Sequence, residues 1–470
     1  LFSDALPATA WTKKSVKVLL LNQCFWPDVM ATAQQLTGLA RGLAERGHSV
    51  TVLTGRRGYD DAKIRFPSRE RWNGIEIIRL PSIGLGKTSR WRRALNFASF
   101  SLACVCRLAI MPRQDAVVAL TSPPLISWLA TLFTRLKGGR LIFWVMDLNP
   151  DEAIAAGWLK PDSLIAKILA ALLRSSMRRA QKIIALDRFA KERIVDKGIQ
   201  ESKIEIIPPW SYDDAAQFDR EGREVFRRRH NLSEKFVVMY AGNHSPCHPL
   251  DTLLEAAKKL RARDDIVFCF VGGGSEFGKV ADFARANKVR NIRCLPYQPQ
   301  AELSGVLSAA DLHVVVMGDG YQGIIHPCKI YNVLTVGSPF VYIGPLESHV
   351  SEIISRLPEH GRAFSAQHGQ VDLVAKSILS LAENSLSAAG VETVGSDRGS
   401  SASQTVLSAT PRSAGSGTPA VAQEFSSRTL LPRFIAQIEL LRAQRKGLAK
   451  TSVGESGPDP KTEVFASDAQ

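Results

Sequence analysis

The chain has 470 residues, 45% of them hydrophobic and 22% charged, with a formal net charge of +15. This is the composition of a soluble globular protein able to bury a large core, and the length predicts two domains rather than one. The positive excess calls for an anionic partner. With no zinc-finger spacing and no glycine–aromatic RNA-binding signature, nucleic acid is set aside in favour of a phosphorylated substrate or a membrane surface.

Residues 1–15 read as an N-terminal extension, of which 1–14 lack a signal-like apolar core. The segment 16–22 (VKVLLLN) predicts a buried strand. Its exit loop, QCFWPDVMATAQQ, feeds a helix over 33–46 with Leu36, Leu39, Ala40 and Leu43 on one face, stopped by Gly47. A second strand follows over 48–54. This is a doubly wound opening without a GxGxxG fingerprint. Residues 56–73 are hydrophilic and predict a surface loop, and 75–80 predict a strand.

The next stretch, GKTSRWRRALNFASFSLACVCRLAIM, places Lys87, Arg90, Arg92 and Arg93 ahead of a helix of small and apolar residues. Its apolar part, 97–110, is broken by Arg107 and is too short to span a bilayer. Such a helix either lies on an anionic membrane or turns one face to the core with its basic end solvated, and the sequence leaves both open. Residues 163–179 repeat the pattern, with Ile165, Ile168, Leu169, Leu172 and Leu173 on one side and Lys167, Arg174, Arg178 and Arg179 nearby.

Strands are predicted over 116–120, 140–145, 182–186 and 203–207, each separated from the next by a helix-length segment, the pattern of a parallel sheet covered on both faces. Pro208, Pro209 and Trp210 break the rhythm as a hinge, after which the alternation restarts with strands over 235–242, 266–271 and 291–295. The expected domains are 16–208 and 209–382. A Ser/Ala/Gly-rich stretch, 383–427, reads as a disordered insertion. A helix follows over 428–445 and a disordered tail over 446–470.

The segment 311–345 (DLHVVVMGDGYQGIIHPCKIYNVLTVGSPFVYIGP) is the most informative. A Val-rich strand over 312–317 leads into a loop with Gly318, Gly320 and Gly323. Pro327 suits the start of a helix, Lys329 and Tyr331 fall in its first turns, and Gly337 ends it. A flexible loop at a strand's C-terminal end feeding a helix that opens on lysine can hold an anion. An ordinary βαβ unit with a solvated lysine is the other reading.

Three further motifs bear on chemistry. GGGSEFGK (272–279) nearly spells a phosphate-binding loop, but Val280 stands where Ser or Thr would hold magnesium. The dinucleotide version fails at Phe277, leaving a glycine turn that approaches a ligand or a neighbouring loop. YAGNHSPCHP places Asn243, His244 and His248 just past a strand end, without a zinc-like partner set but suited to donate to a phosphate. MDLNPDE places Asp147, Asp151 and Glu152 at the end of a strand in the first half. Asp151 is read as a helix cap and Asp147 as a cleft residue. The seven cysteines (24, 104, 106, 247, 269, 294, 328) include no CxxC pair and read as reduced, mostly buried thiols of a cytoplasmic protein.

The order of FWPDVMATAQQLTGLARGLAERGHSVTVLTG, MDLNPD, YAGNHSP…LDTLLEAA, FVGGGSE and HPCKIYNVLTVGSPFV, over roughly residues 16–380, resembles glycosyltransferase family 4 of the GT-B glycosyltransferases. The resemblance implies an α/β fold of two Rossmann-like, doubly wound parallel-sheet domains facing a cleft. It implies donor binding on the C-terminal domain, acceptor binding on the N-terminal domain, and transfer with retention. No cofactor or metal is expected, since positive side chains and helix N-termini neutralise the leaving diphosphate. By motif, Lys329 is assigned to the diphosphate and Asn243 to the phosphates beside His244. Gln322 and Gly323 are assigned to the sugar, and Asp147 to catalysis. Where many members carry two glutamates eight positions apart, Ile324 and Asn332 stand here. Asn332 can still bond a ribose hydroxyl but brings no charge.

The function expected is transfer of a sugar from a nucleotide-diphosphate sugar to a lipid-linked or polysaccharide acceptor, in cell-envelope or exopolysaccharide biosynthesis. The expected place is the cytoplasm, peripheral to the inner face of the plasma membrane. The alternatives are a nucleotide-sugar 2-epimerase of the same fold and a non-catalytic sugar-nucleotide-binding protein.

Overall fold

The structure, a computed structural model, describes residues 15–28, 30–58, 63–84, 90–211, 217–357, 363–391 and 420–451. The first half runs β1 (Lys17–Leu21), α1 (Ala31–Glu45), β2 (Ser49–Gly55), β3 (Arg69–Trp72), β4 (Ile75–Leu80), α2 (Arg90–Ile110), β5 (Ala116–Ala119) and α3 (Ile126–Lys137). It continues β6 (Arg140–Trp144), α4 (Asp151–Ala155), α5 (Leu164–Arg179), β7 (Lys182–Ala185), α6 (Arg188–Asp196) and β8 (Ile204–Ile206). Its eight strands pair in the order β3-β4-β2-β1-β5-β6-β7-β8. All pairs are parallel except β3 with β4. Val18 to Leu21 are fully buried, as a central parallel strand covered on both faces requires. The chain reverses direction across the sheet at β1, which pairs with β2 on one side and β5 on the other.

The second half runs α7 (Arg220–Arg229), β9 (Phe236–Asn243), α8 (Asp251–Lys259), β10 (Ile266–Gly273), α9 (Phe277–Ala286), β11 (Ile292–Leu295), α10 (Leu303–Ser308) and β12 (Leu312–Val316). It continues α11 (Lys329–Val336), β13 (Phe340–Ile343), α12 (His349–Ser355), β14 (Ala363–Ala366), α13 (Val371–Val391), α14 (Ala420–Glu424) and α15 (Ser427–Thr451). Its sheet is wholly parallel, in the order β11-β10-β9-β12-β13-β14, with the switch between β9 and β12. The two doubly wound sheets are the fold class expected from the alternating pattern.

Several segments differ from expectation. Part of the surface loop read over 56–73 is strand β3, which closes a hairpin with β4 through Asn73 (φ 47) and Gly74 (φ 78). Positive φ at both central residues is the turn that Asn-Gly favours. The buried Arg79 guanidinium holds this hairpin, pairing with Glu70 and donating to the Trp26 carbonyl at 3.0 Å. The Pro-Pro-Trp hinge is anchored rather than free. Trp210 is 2% exposed, and its backbone exchanges hydrogen bonds with the Gln35 side chain at 2.8 and 3.2 Å. α13 continues to Val391 and α14 occupies 420–424, so both ends of the expected disordered insertion are helical, and 392–419 lie outside the described residues. Val374, Ile378 and Leu381 start α13 on the core, and the Ser/Ala run continues it because alanine favours helix. α15 likewise reaches Thr451, inside the expected tail.

α15 crosses back onto the first domain. Phe434 packs on Trp144 and Trp210 with ring centroids 4.5 and 6.4 Å apart. Gly42 of α1 admits the close approach of Leu431 and Ile435, where a Cβ would lie 2.8 Å from the leucine methyl. Glu439 meets the buried His48 at 3.1 Å.

α2 is longer than the 97–110 stretch suggested. Trp91–Ile110 is, among the described residues, the one helix long and apolar enough to cross a membrane, and 17% of that window is buried. Phe100, Cys104 and Leu108 face the core, while Trp91, Leu95, Leu102 and Val105 are exposed. Of its basic flank, Lys87 lies outside the described residues.

Candidate active site

The C-terminal ends of β6 and β7 in one sheet face the C-terminal ends of β9 and β12 in the other. Open α/β sheets bind ligands at such switch-point crevices. Lys329 opens α11, which starts two residues later than the placement of Pro327 predicted, with Cys328 as an N-cap whose side chain does not cap the helix but donates to the His326 carbonyl at 3.2 Å. Its Nζ is buried, has no hydrogen-bond partner, and lies 3.6 Å over the ring of Tyr240. Gly242 at the end of β9 (φ +127) faces it closely enough that a Cβ there would sit 3.8 Å from Nζ. Burial pulls the ammonium down to about 7. A cation removed from water beside an amide turn is well placed to receive an anion.

Asn243, the last residue of β9, is exposed at this crevice. His244 is not. It is fully buried, Nδ1 bonds the Gly242 carbonyl at 3.0 Å, and the ring packs edge-on against Tyr240 and Phe277. The expectation that it donates to a phosphate meets an imidazole with no open path, its pKa lowered by burial to about 4. His248 is likewise turned to the protein, bonding the Val316 carbonyl at 2.7 Å and tying the end of β12 to the turn after β9. The glycine turn approaches a neighbouring loop. A Cβ on Gly272 or Gly274 would lie 2.1 Å from the Gly242 carbonyl or 2.3 Å from the His244 carbonyl, so the two turns nest backbone on backbone.

Across the crevice, Asp147 follows β6. Burial, then the charge of Glu152, pushes its carboxyl up to about 8. Glu152 is raised by burial too, but Asn149 and Cys247 hydrogen bonds offset this, the Cys247 contact being 3.9 Å. Burial thus favours the protonated form of both carboxyls, and the hydrogen bonds from Asn149 and Cys247 favour the ionised form of Glu152 alone. A protonated Asp147 carboxyl donates a hydrogen bond where an ionised carboxylate only accepts. Asp151 does not cap α4. The cap position is Pro150 without a side-chain bond, and Asp151 pairs with Lys197 at 2.6 Å.

The loop between β12 and α11 is held by the first domain. The Gln322 carbonyl accepts from Arg193 Nε at 2.5 Å, and the Ile324 carbonyl accepts from the Leu148 N–H at 2.9 Å. Gly323 (φ +67) lies so close to α6 that a Cβ would sit 2.6 Å from the Phe189 carbonyl. The glycine expected to approach a sugar is thus required by the domain contact. Asn332 sits half-buried on α11 beside the buried Tyr331.

His326 lies between that loop and Lys329. Its Nδ1 meets Asp187 Oδ2 at 2.7 Å and its Nε2 meets the Tyr331 hydroxyl at 2.6 Å. His349, at the start of α12, stacks on it with centroids 3.7 Å apart and planes 18° off parallel, its Nδ1 3.6 Å from the same carboxylate oxygen. Asp187 caps α6 through the Ala190 N–H at 2.7 Å, and these contacts, His326 foremost, hold it near 2 against the cost of burial. Among the described residues this trio alone has metal-ligand spacing. Two parallel rings at stacking distance cannot both direct an in-plane lone pair at one ion, so the trio fits a hydrogen-bonded cluster better than a metal centre.

Two family models match in succession, the glycosyl transferase 4-like domain over residues 31–210 and the glycosyl transferases group 1 over residues 222–324. The chain belongs to the family 4-like GT-B glycosyltransferases. The glycosyltransferase is 22% identical over 358 residues to a protein assigned by name to colanic acid biosynthesis, the glycosyl transferase WcaI of Escherichia coli (strain K12). The match covers 73% of this chain and 87% of that one. It is 23% identical over 282 residues to the glycosyltransferase WbjE of Pseudomonas aeruginosa, covering 59% and 68%. In fold it is similar to Anabaena HepE in complex with UDP and glucose, with a TM-score of 0.64 and 14% identity over 90% of this chain and 99% of that one. It is also similar to sucrose-phosphate synthase of Thermosynechococcus elongatus, with a TM-score of 0.63 and 13% identity over 93% and 100%.

Sequence reading of this glycosyltransferase missed Asp187, His326 and His349, and named Glu152 among the strand-end carboxylates without assigning it a role of its own. Asp187 ends KIIALD as Asp147 ends a strand segment, so the rule that pointed to one carboxylate pointed to both. His326 stood in the quoted HPCK segment. Only the apposition of the two sheets pairs it with residue 187.

Proposed function

We propose that the chain transfers a sugar from a nucleotide-diphosphate sugar to a lipid-linked or polysaccharide acceptor, with retention at the anomeric carbon, in cell-envelope or exopolysaccharide biosynthesis. The observation that carries the donor assignment is the buried, unpartnered Nζ of Lys329 at the β9–β12 switch point. A structural neighbour that holds UDP and glucose and relatives named for glycan assembly support the same reading.

In this reading Lys329 and the N-terminus of α11 take the diphosphate, with the exposed Asn243 at its edge. As the glycosidic C–O bond to the diphosphate breaks, negative charge grows on the leaving oxygen, and the ammonium stabilises it without a metal ion. Asp147, holding a proton, donates to a hydroxyl of the sugar from the opposite wall. Gln322 and Asn332 offer neutral hydrogen bonds where charged carboxylates are commoner in the family.

The acceptor side supports a membrane location. α3 packs between α2 and α5, and Leu102, Ile110, Leu136 and Leu164 on these helices are 66 to 73% exposed. Arg92, Arg93, Lys137, Lys167, Arg174 and Arg178 lie on the same helices. An apolar surface edged by cations fits an anionic bilayer at the cytoplasmic face.

The test is thermal shift against UDP-, GDP-, ADP- and dTDP-sugars, followed by nucleotide release with a membrane-lipid extract, with and without EDTA. Stabilisation by one nucleotide together with lipid-dependent, EDTA-insensitive release is expected. Binding without release in any extract, or an epimerised nucleotide sugar formed without acceptor, would overturn the transferase reading.

A further inference from the structure

We propose that Asp187 is a positioning residue for donor binding: from the first domain it clasps His326 of the second, and so sets where the loop that leads into Lys329 stands relative to Asp147. The inference rests on the donor assignment above and extends it to a residue that touches neither donor nor acceptor.

Four successive points of the loop are tied to the first domain. These are the Gln322 carbonyl on Arg193, Gly323 against the Phe189 carbonyl, the Ile324 carbonyl on the Leu148 N–H, and the His326 ring on Asp187. The Leu148 amide is the residue after Asp147, so the backbone that presents the catalytic carboxyl also holds the loop. His326 is three residues before Lys329. Its two nitrogens are committed in opposite directions, Nδ1–H to Asp187 and Nε2 to Tyr331 on the first turns of α11. A push on Asp187 is therefore carried through one imidazole to the helix that opens on Lys329.

The clasp is built from buried groups on every side. Asp187, His326 and His349 are each at most 9% exposed, and Tyr331 2%. His349 caps the stack from α12. Its Nε2 is buried without a partner, and its pKa is held well below the usual range by burial and by His326. The charged groups nearest the rim are Arg188 and Glu352, which pair across the same domain boundary but at the surface. Removing the buried carboxylate leaves the His326 N–H without an acceptor, which costs more than an exposed pair. A surface pair broken at Arg188 leaves both groups in water.

Three full-length variants test this. Asp187→Ser keeps an oxygen short enough to cap α6 yet too short for His326. His326→Phe keeps the stack on His349 and loses both bonds. Arg188→Ala serves as the surface control. Titration uses UDP and GDP, and small-angle X-ray scattering reads the separation of the domains without any ligand. Folded Asp187→Ser and His326→Phe are expected to show a larger radius of gyration and a dissociation constant for the bound nucleotide raised about tenfold. Turnover should show a raised KM for donor together with a lowered kcat, and Arg188→Ala should stay near wild type. Unchanged scattering and nucleotide affinity in both folded variants would overturn the proposal. So would failure of both to fold, since the cluster would then serve folding alone. If wild-type protein binds neither nucleotide, the donor assignment fails instead, and the scattering arm still decides whether Asp187 holds the domains.

Discussion

Lys329 Nζ stands 3.6 Å over the Tyr240 ring and finds no hydrogen-bond acceptor. Cation–π attraction offsets part of the desolvation of that ammonium, yet its pKa still falls to about 7. The folded value lies below the unfolded one, so the unfolded chain binds the extra proton between about pH 7 and pH 10.5, and the penalty is complete below that window. Lys329→Met should raise the stability of the free protein at neutral pH by roughly 1–2 kcal/mol and abolish nucleotide-dependent stabilisation. Denaturant unfolding with and without nucleotide measures both. A destabilised free protein would show that the lysine serves packing.

Asp147 makes the opposite prediction in pH. Its folded pKa of about 8 exceeds the unfolded value, so the native state binds more protons between about pH 4 and pH 8 and loses stability as pH rises through that range. Asp147→Asn keeps the shape and removes the titration. It should be more stable than wild type at about pH 8, by on the order of 1–3 kcal/mol, and nearly equal to it at about pH 4. Equal stabilisation at both ends would assign the burial cost to something other than this carboxyl.

Gly323→Ala places a methyl 2.6 Å from the Phe189 carbonyl at φ +67. The left-handed conformation alone costs about 1–2 kcal/mol for a non-glycine residue, and the clash adds to it. The domain boundary should yield first, so the radius of gyration should rise and nucleotide affinity fall before global unfolding shifts by a like amount. Gly320, whose Cβ would meet nothing, is the control, and Gly320→Ala should leave both unchanged.

The exposed apolar residues of α2 and α5 predict binding to phosphatidylglycerol vesicles at low salt and weaker binding as salt rises. Leu102→Asp combined with Leu164→Asp should cut co-sedimentation about tenfold while leaving nucleotide-dependent stabilisation intact. Wild-type protein that stays in the supernatant at low salt removes the membrane from the account.

How much of this was legible in the sequence follows from the range of each interaction. Strands such as VKVLLLN and LHVVV announce themselves because a parallel strand is buried on both faces and admits only apolar residues. Lys329 was legible from its place after a strand and a glycine loop. The Asn73-Gly74 hairpin carried its own turn signal and was hidden only by the charged residues of β3. His244 misled because its neighbours in sequence point to a phosphate, whereas its neighbours in space are Tyr240, Phe270 and Phe277. Helical 383–391 was obscured because low-complexity composition and alanine helix look alike without the packed face that starts the helix.

The sequence by itself determined the two parallel sheets, the crevice at their strand ends and the lysine that opens α11, because each depends on local periodicity and on the residues a turn or helix start demands. Only the tertiary structure decided which polar groups reach one another. Asp187 and His326 stand 139 positions apart and meet at 2.7 Å, and no pattern along the chain encodes that pair. The raised pKa of Asp147 is of the same kind, since the burial that raises it, with the charge of Glu152 second, arises only once the chain is packed.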